Sequence, residues 1–300
     1  MSLLHKIVYA IADKGKAEYN PQNPKDYKQI RIKAEKRYTK KIPKSVSCEY
    51  VKLNGAGIEF LSSAKNPKDK MVFYIHGGGF TEASAFARRP FTLYIVQKLG
   101  LNVAAVDYRL APEYPYPLAV DDCLEAYAYV LKHVKPQGII FTGESAGGNL
   151  VFATALKAKA ENITLPACIA AFSPTLQYSK VFPSYTENLK TDCMLINICD
   201  EIRATYLKEV ELDKAVFAEP LYGDLQDLPP TFLTASNSEV LLDDSLMMYG
   251  KLIENGIYCR LKIYNKLAHA FQIIPMLSEA KKALNDYIVF INDILKKSFK

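Results

Sequence analysis

"GIIFTGESAGGN" (residues 138–149) runs an apolar stretch into a crowded turn of small residues and then into the start of an alanine-rich segment. A buried strand, G-E-S-A-G and a helix in succession describe a turn that holds a serine hydroxyl out where a ligand can reach it. Gly143 and Gly147 fill the places two residues either side of Ser145, where the turn folds onto itself and leaves no volume for a Cβ. Glycines there could equally serve only to let a helix pack closely on a sheet. Ser145 therefore carries chemistry only if partners for it exist elsewhere in the chain.

Working outward, short apolar runs alternate with longer helical patterns. "CEYVKL" and "IEFL" flank "NGAG" as a hairpin would, and "MVFYI" (71–75) ends in glycines. "NVAAV" (102–106), "GIIFT" (138–142), "CIAAF" (168–172), "TFLTA" (231–235) and "CRLKI" (259–263) read as further strands, with helical stretches over 118–133, 149–160, 241–255 and 276–297. Strands this apolar have no wet face, so the pattern predicts an α/β fold with a mostly parallel central sheet covered by helices on both sides. In such sheets ligands bind beyond the carboxyl ends of the strands, and the residues just after each strand are the ones that matter.

Two segments break the alternation, residues 1–44 and 175–215, and neither looks able to fold alone. They are read as two parts of one helical cap over a single catalytic core made of 45–174 and 216–300. A chain of 300 residues with 49% hydrophobic composition can bury one large core. Its net charge of +6 is local: residues 25–44 alone carry +7, and the remainder sums to −1. Within that segment Tyr27, Ile30, Ala34 and Tyr38 recur at helical spacing, which predicts an amphipathic helix with a solvated basic face and no nucleic-acid partner. No apolar run is long enough to cross a bilayer and the N-terminal residues lack a cleavage site, so the expectation is a cytoplasmic protein without membrane insertion. The six cysteines lie far apart without a C-x-x-C and are expected as buried, reduced thiols; monomer and homodimer are both left open.

Four histidines could serve Ser145 as base. His5 and His133 lie away from strand ends and read as surface or packing residues. His76 opens "HGGGF" and His269 sits in "NKLAHAF", both after strands. The glycines following His76 let peptide planes turn inward and present amides to a carbonyl oxygen, so His76 and Gly77 read as structural neighbours of the site and His269 as the base. A carboxylate must fix the tautomer of that histidine. Glu239 lies closest to the end of "TFLTA", whereas Asp243 and Asp244 fall inside the following helix; Glu239 is favoured, with Asp243 as the alternative.

Together, "HGGGF", "DYRLAPEYPYP", "GESAGGN", "PLYGDLQDLPP" and "AHAF" occur in order over residues 70–275 and resemble the α/β-hydrolase esterases of the hormone-sensitive lipase group, bacterial branch. The resemblance implies Ser145 as nucleophile, His269 as base, and the amides of Gly78, Gly79 and Ala146 as an oxyanion hole. It also implies a carboxylesterase for short- to medium-chain acyl esters, with an amidase or deacetylase of the same mechanism, or a non-catalytic small-molecule-binding protein, as alternatives. Two departures stand out: Glu239 where the family commonly has Asp, and Glu144 before the serine where it most often has Asp. No cofactor or metal is expected, since there is no H-x-x-x-H, no cysteine cluster, and no lysine in "GESAGGN" to hold a phosphate.

Overall fold

The computed structural model describes residues 2–15, 19–208, 210–212 and 214–298. Eight strands form one sheet: β1 (Ser47–Lys52), β2 (Gly57–Ser62), β3 (Met71–Ile75), β4 (Asn102–Asp107), β5 (Ile139–Glu144), β6 (Cys168–Phe172), β7 (Thr231–Ser236) and β8 (Cys259–Tyr264). Their spatial order is β1-β2-β4-β3-β5-β6-β7-β8. Only the β1–β2 and β2–β4 pairs are antiparallel; every other neighbour pair is parallel.

Side chains alternate between two cores, one on each face. On β3, Phe73 and Ile75 join a core with α4 (Leu118–Val130), α5 (Ala146–Ala160) and α8 (Leu242–Glu254). Val72 and Tyr74 turn the other way, into a core with α3 (Arg89–Tyr94) and α9 (Ser278–Ser298). All of β5, β6 and β7 is buried, as a parallel sheet covered on both sides requires, while the edge strand β1 is mostly exposed. Among the described residues, no helix is long and apolar enough to cross a membrane.

Further α-helices among the described residues are α1 (Leu3–Gly15), α2 (Tyr27–Tyr38), α6 (Pro183–Glu187) and α7 (Ile198–Ile202). The basic helix forms as expected, capped by Asp26, but its apolar stripe is only partly covered: Tyr27 is buried, whereas Tyr38 is 45% exposed. The helix α3 between β3 and β4 was not legible in the pattern, because Arg88, Arg89 and Pro90 mask its apolar face. Cys123, Cys168, Cys193 and Cys259 are buried, but Cys48 on β1 is exposed, contrary to the expectation of buried thiols throughout.

The chain leaves β3 toward β4 on one side and returns to β5 on the other, so the β3/β5 boundary is where strand order reverses. At such a point the two departing loops splay apart and open a crevice at the carboxyl ends of the strands. The loop after β3 begins "HGGGF", and the residue after β5 is Ser145.

Candidate active site

Ser145 has φ 55° and ψ −119°, a backbone state that a residue with a side chain adopts only when its surroundings enforce it. Here they do. The Ser145 amide donates to the Phe172 carbonyl at 2.9 Å, and α5 begins at the next residue. A Cβ on Gly143 would lie 2.3 Å from the Gly147 carbonyl oxygen, and one on Gly147 would lie 2.1 Å from that of Ile75. The turn is therefore closed to any larger residue at both places.

The loop after β3 runs directly against this turn. A Cβ on Gly77 would meet the Glu144 carbonyl oxygen at 2.4 Å and the Ser145 Cβ at 3.0 Å. Gly78 and Gly79 both take positive φ, 118° and 60°, and their amides donate to no acceptor among the described residues. His76, fully buried, holds the start of the loop: its Nδ1 donates to the Gly77 carbonyl at 2.8 Å, and its ring stacks on Tyr108 at 4.4 Å. Burial pushes the His76 imidazole down to about 3, so it stays neutral at ordinary pH. Tyr108, from "DYRLAPEYPYP", donates its hydroxyl to the His76 carbonyl at 2.8 Å, and the Ala111 amide reaches the Phe80 carbonyl at 2.9 Å. That block buttresses the glycine loop.

Glu144 does what the sequence alone could not assign. Its Oε1 accepts from the Gly77 amide and from Arg88 Nε, each at 2.8 Å, and its Oε2 accepts from the Tyr74 hydroxyl at 2.7 Å. The residue preceding the serine thus ties the turn to the glycine loop.

Glu239 and His269 come together. Glu239 Oε2 lies 2.7 Å from His269 Nδ1, and both residues are buried. The second carboxylate oxygen accepts from Ser173 Oγ at 2.9 Å and from the Ser236 amide at 2.6 Å. His269 Nε2 is buried without a partner among the described residues. Burial opposes protonation of this ring, but the hydrogen bond and charge of Glu239, with Asp192 and Glu144 beyond, raise its pKa above the ordinary histidine value. Asp243 faces elsewhere: its Oδ2 accepts from the Ser184 amide at 2.8 Å.

Ser145, Ser173, Glu239 and His269 follow β5, β6, β7 and β8, four adjacent strands. At about 4.8 Å per strand, the loop carrying His269 starts some three strands, or about 14 Å, from the serine turn and must fold back across the sheet end. Ala270 takes φ 50° and its amide donates to Ser173 Oγ at 3.3 Å, which anchors the loop over β6, one strand from Ser145.

Comparisons with known proteins bear on the family and the fold. The family model described as the alpha/beta hydrolase fold matches residues 72–273. The chain belongs to the α/β-hydrolase family. It is 32% identical over 228 residues to an esterase of Acinetobacter venetianus, covering 75% of each chain. It is 32% identical over 232 residues to the carboxylesterase/phospholipase LipF of Mycobacterium tuberculosis, a match spanning 75% of this chain and 62% of that one. A crystal structure of an esterase from the bacterial hormone-sensitive lipase family superposes with a TM-score of 0.88 at 29% identity, covering 100% of this chain and 99% of that chain. Within the α/β-hydrolases the chain thus falls in the hormone-sensitive lipase group. Of the sequence-predicted residues, His5 was the one underread: it is fully buried and its Nε2 accepts from the Ala268 amide at 3.1 Å. Only contact across 263 positions reveals this, and no local pattern carries it.

Proposed function

We propose that this protein is a serine carboxylesterase acting on short- to medium-chain acyl esters, with Ser145 as nucleophile, His269 as base and Glu239 as the acid that orients it. The single observation that carries the reading is the buried Glu239–His269 pair, whose unpartnered Nε2 belongs to a loop drawn back toward the strained serine turn. A carboxylate on Nδ1 keeps the proton there, so Nε2 is the basic nitrogen.

In the forward step Ser145 Oγ attacks the ester carbonyl as His269 Nε2 takes its proton. Charge that develops on the carbonyl oxygen meets the amides of Gly78, Gly79 and Ala146, the last at the N-terminus of the fifteen-residue helix α5. Collapse of this intermediate expels the alcohol, which receives the proton from His269, and leaves Ser145 acylated. Water then attacks the acyl carbonyl with His269 again as base, releasing the acid and restoring the serine. The proton taken from the serine leaves with the alcohol and the one taken from water is given to Ser145 Oγ, so His269 ends each cycle in the state in which it began.

The segments 1–44 and 175–215 are assigned as the cap that shapes the substrate pockets; residues 1, 16–18, 209 and 213 of them lie outside the described residues. Contacts between the two segments support this: Glu201 accepts from Lys25 Nζ at 2.8 Å and from the Tyr27 hydroxyl at 2.9 Å. In α7, Ile198 Cδ1 lies 4.0 Å from where a Cβ on Gly79 would stand, which brings cap and glycine loop together. A similar structure, EstE5, 27% identical with a TM-score of 0.87 and covering 99% of each chain, was soaked with p-nitrophenyl butyrate.

The test is turnover of p-nitrophenyl acyl esters of increasing chain length, beside an anilide and an acetylated sugar. Ser145→Ala is expected to lower kcat for the butyrate by about four to six orders of magnitude. Retained turnover in that variant, or preference for the anilide or the sugar ester, sinks the respective part of the reading.

A further inference from the structure

The loop that carries His269 is bracketed by two residues in the left-handed region, Lys266 at φ 56° and Ala270 at φ 50°. Neither is glycine, so neighbours must hold the loop in shape. Four of its amides are held by side chains from three different parts of the chain, the first being that of Lys266, which donates to Asn237 Oδ1 at 2.9 Å. The Leu267 amide donates to Ser236 Oγ at 3.0 Å and the Ala270 amide to Ser173 Oγ at 3.3 Å, both hydroxyls standing at strand ends. The Ala268 amide, immediately before the histidine, donates to His5 Nε2 at 3.1 Å.

We propose that His5 is a positioning residue for His269, its imidazole fixing the peptide plane between Leu267 and Ala268 and hence the direction in which the next side chain leaves the backbone; this rests on His269 being the base. The geometry around His5 is that of a built acceptor. The ring is fully buried and sits edge-on to Phe271 with centroids 6.5 Å apart. For Nε2 to accept, the proton must sit on Nδ1, which is buried without a partner among the described residues. A phenylalanine would fill this space more cheaply, so an imidazole with one nitrogen left unsatisfied is retained at a cost, and the bond to Ala268 is what that cost supports. The helix that bears it is itself fastened: the His5 amide donates to Ser2 Oγ at 3.3 Å, and Ser2 Oγ donates to Glu279 Oε2 at 2.8 Å in α9. Tyr9, one turn further on, donates its hydroxyl to the Thr191 carbonyl, and Thr191 Oγ1 reaches the Ser238 carbonyl at 3.1 Å beside Glu239. α1 therefore bears on the loops of both the base and its acid, with His5 as the direct contact.

Displacement of a reacting group by a fraction of an ångström to one ångström lowers turnover without weakening substrate binding, so the loss should appear in kcat. The experiment measures kcat and KM for p-nitrophenyl butyrate, with active sites counted by a fluorophosphonate burst, for His5→Phe, His5→Asn and His5→Gln. Phenylalanine keeps the ring packing without an acceptor, asparagine is too short to reach Ala268, and glutamine places an oxygen near the position of Nε2. Expected are a fall in kcat of about tenfold for Phe and Asn with KM within twofold, and recovery of most of that loss in Gln. Should the Phe variant fold poorly, Asn against Gln decides alone. Unchanged kcat in Phe and Asn, a Gln variant as slow as they are, or a loss lodged in KM overturns the proposal. Ser145→Ala is run alongside: if it stays active the site assignment fails, whereas an inert Ser145→Ala beside a fully active His5→Phe overturns the positioning role only.

Discussion

Glu144 accepts the amide of Gly77 at 2.8 Å, so the residue immediately before Ser145 grips the first glycine of the opposing loop. The same oxygen takes Arg88 Nε, and burial leaves the Glu144 side chain only 1% exposed. Serine turn and glycine loop are thereby joined through one carboxylate.

Replacing Glu144 by Ala should leave the Gly77 amide, the Tyr74 hydroxyl and the Arg88 cation without their partner at once. A loss of about 3 kcal/mol in urea unfolding is expected, together with a fall in kcat as the glycine loop loosens. Glu144→Gln keeps an acceptor for Gly77 and should cost less. An equal midpoint for all three proteins would show that this carboxylate does not hold the loop.

Glu239→Gln and Asp243→Asn separate the two acids by function. Gln can no longer stabilise the imidazolium that forms on His269, and a fall in kcat of about 10³ or more is expected. Asp243→Asn, engaged with the Ser184 amide, should stay within a few-fold. The reverse ranking in kcat would move the acid to Asp243.

Because Glu239 raises the His269 pKa, the acid limb of kcat/KM should lie above 6.5, and Glu239→Gln should move it downward. For stability the sign is fixed by the direction of the shift: the raised pKa lets protonated His269 stabilise the fold fully below pH 6.5, a contribution lost as pH rises through the folded value. His76, pushed down to about 3, acts oppositely, and its contribution is present above 6.5 and lost as pH falls toward about 3. Buried His5, also lowered, adds in the same sense. Between pH 6.5 and about 5 the loss that His76 and His5 contribute is opposed by Asp244, whose carboxyl burial pushes up to about 7, so the readout is the difference between proteins: with acidity the urea midpoint of His76→Asn should change less unfavourably than that of the parent. An identical pH dependence in the parent and His76→Asn across that window contradicts the assignment of His76 as a buried neutral ring.

Gly78→Ala and Gly250→Ala should differ in sign. The first forces a side chain at φ 118° with its Cβ 2.5 Å from the Glu82 carbonyl oxygen, so both folding and turnover should suffer. The second adds a methyl inside α8 where nothing lies within 4 Å, and should stabilise by about 0.5–1 kcal/mol. Thermal melting of the two variants checks both.

The parallel sheet was legible because β3 to β7 are buried on both faces and so read as unbroken apolar runs between polar helices. The placement of the candidate residues Ser145, Glu239 and His269 beyond the carboxyl ends of strands was legible for a related reason: each directly follows a strand or its loop, where local order along the chain predicts position in space. Reading failed where contact is long-range. The stripe on α2 pointed to Tyr38 as a covered residue, yet Arg31 of that helix makes the inward bonds, to the Thr81 carbonyl at 2.7 Å and to Glu113. The burial of His5 depends on a helix docking against a loop more than 260 residues away, and nothing in its own neighbourhood signals that.

Ser173 has a further consequence. Its hydroxyl receives the Ala270 amide on a lone pair and must therefore aim its proton at Glu239, so its orientation is not a choice. One oxygen atom thus imposes a common polarity on the ends of three neighbouring strands. A substitution to alanine would remove the shared reference by which those three termini know which way to face, even though no atom that touches substrate had changed.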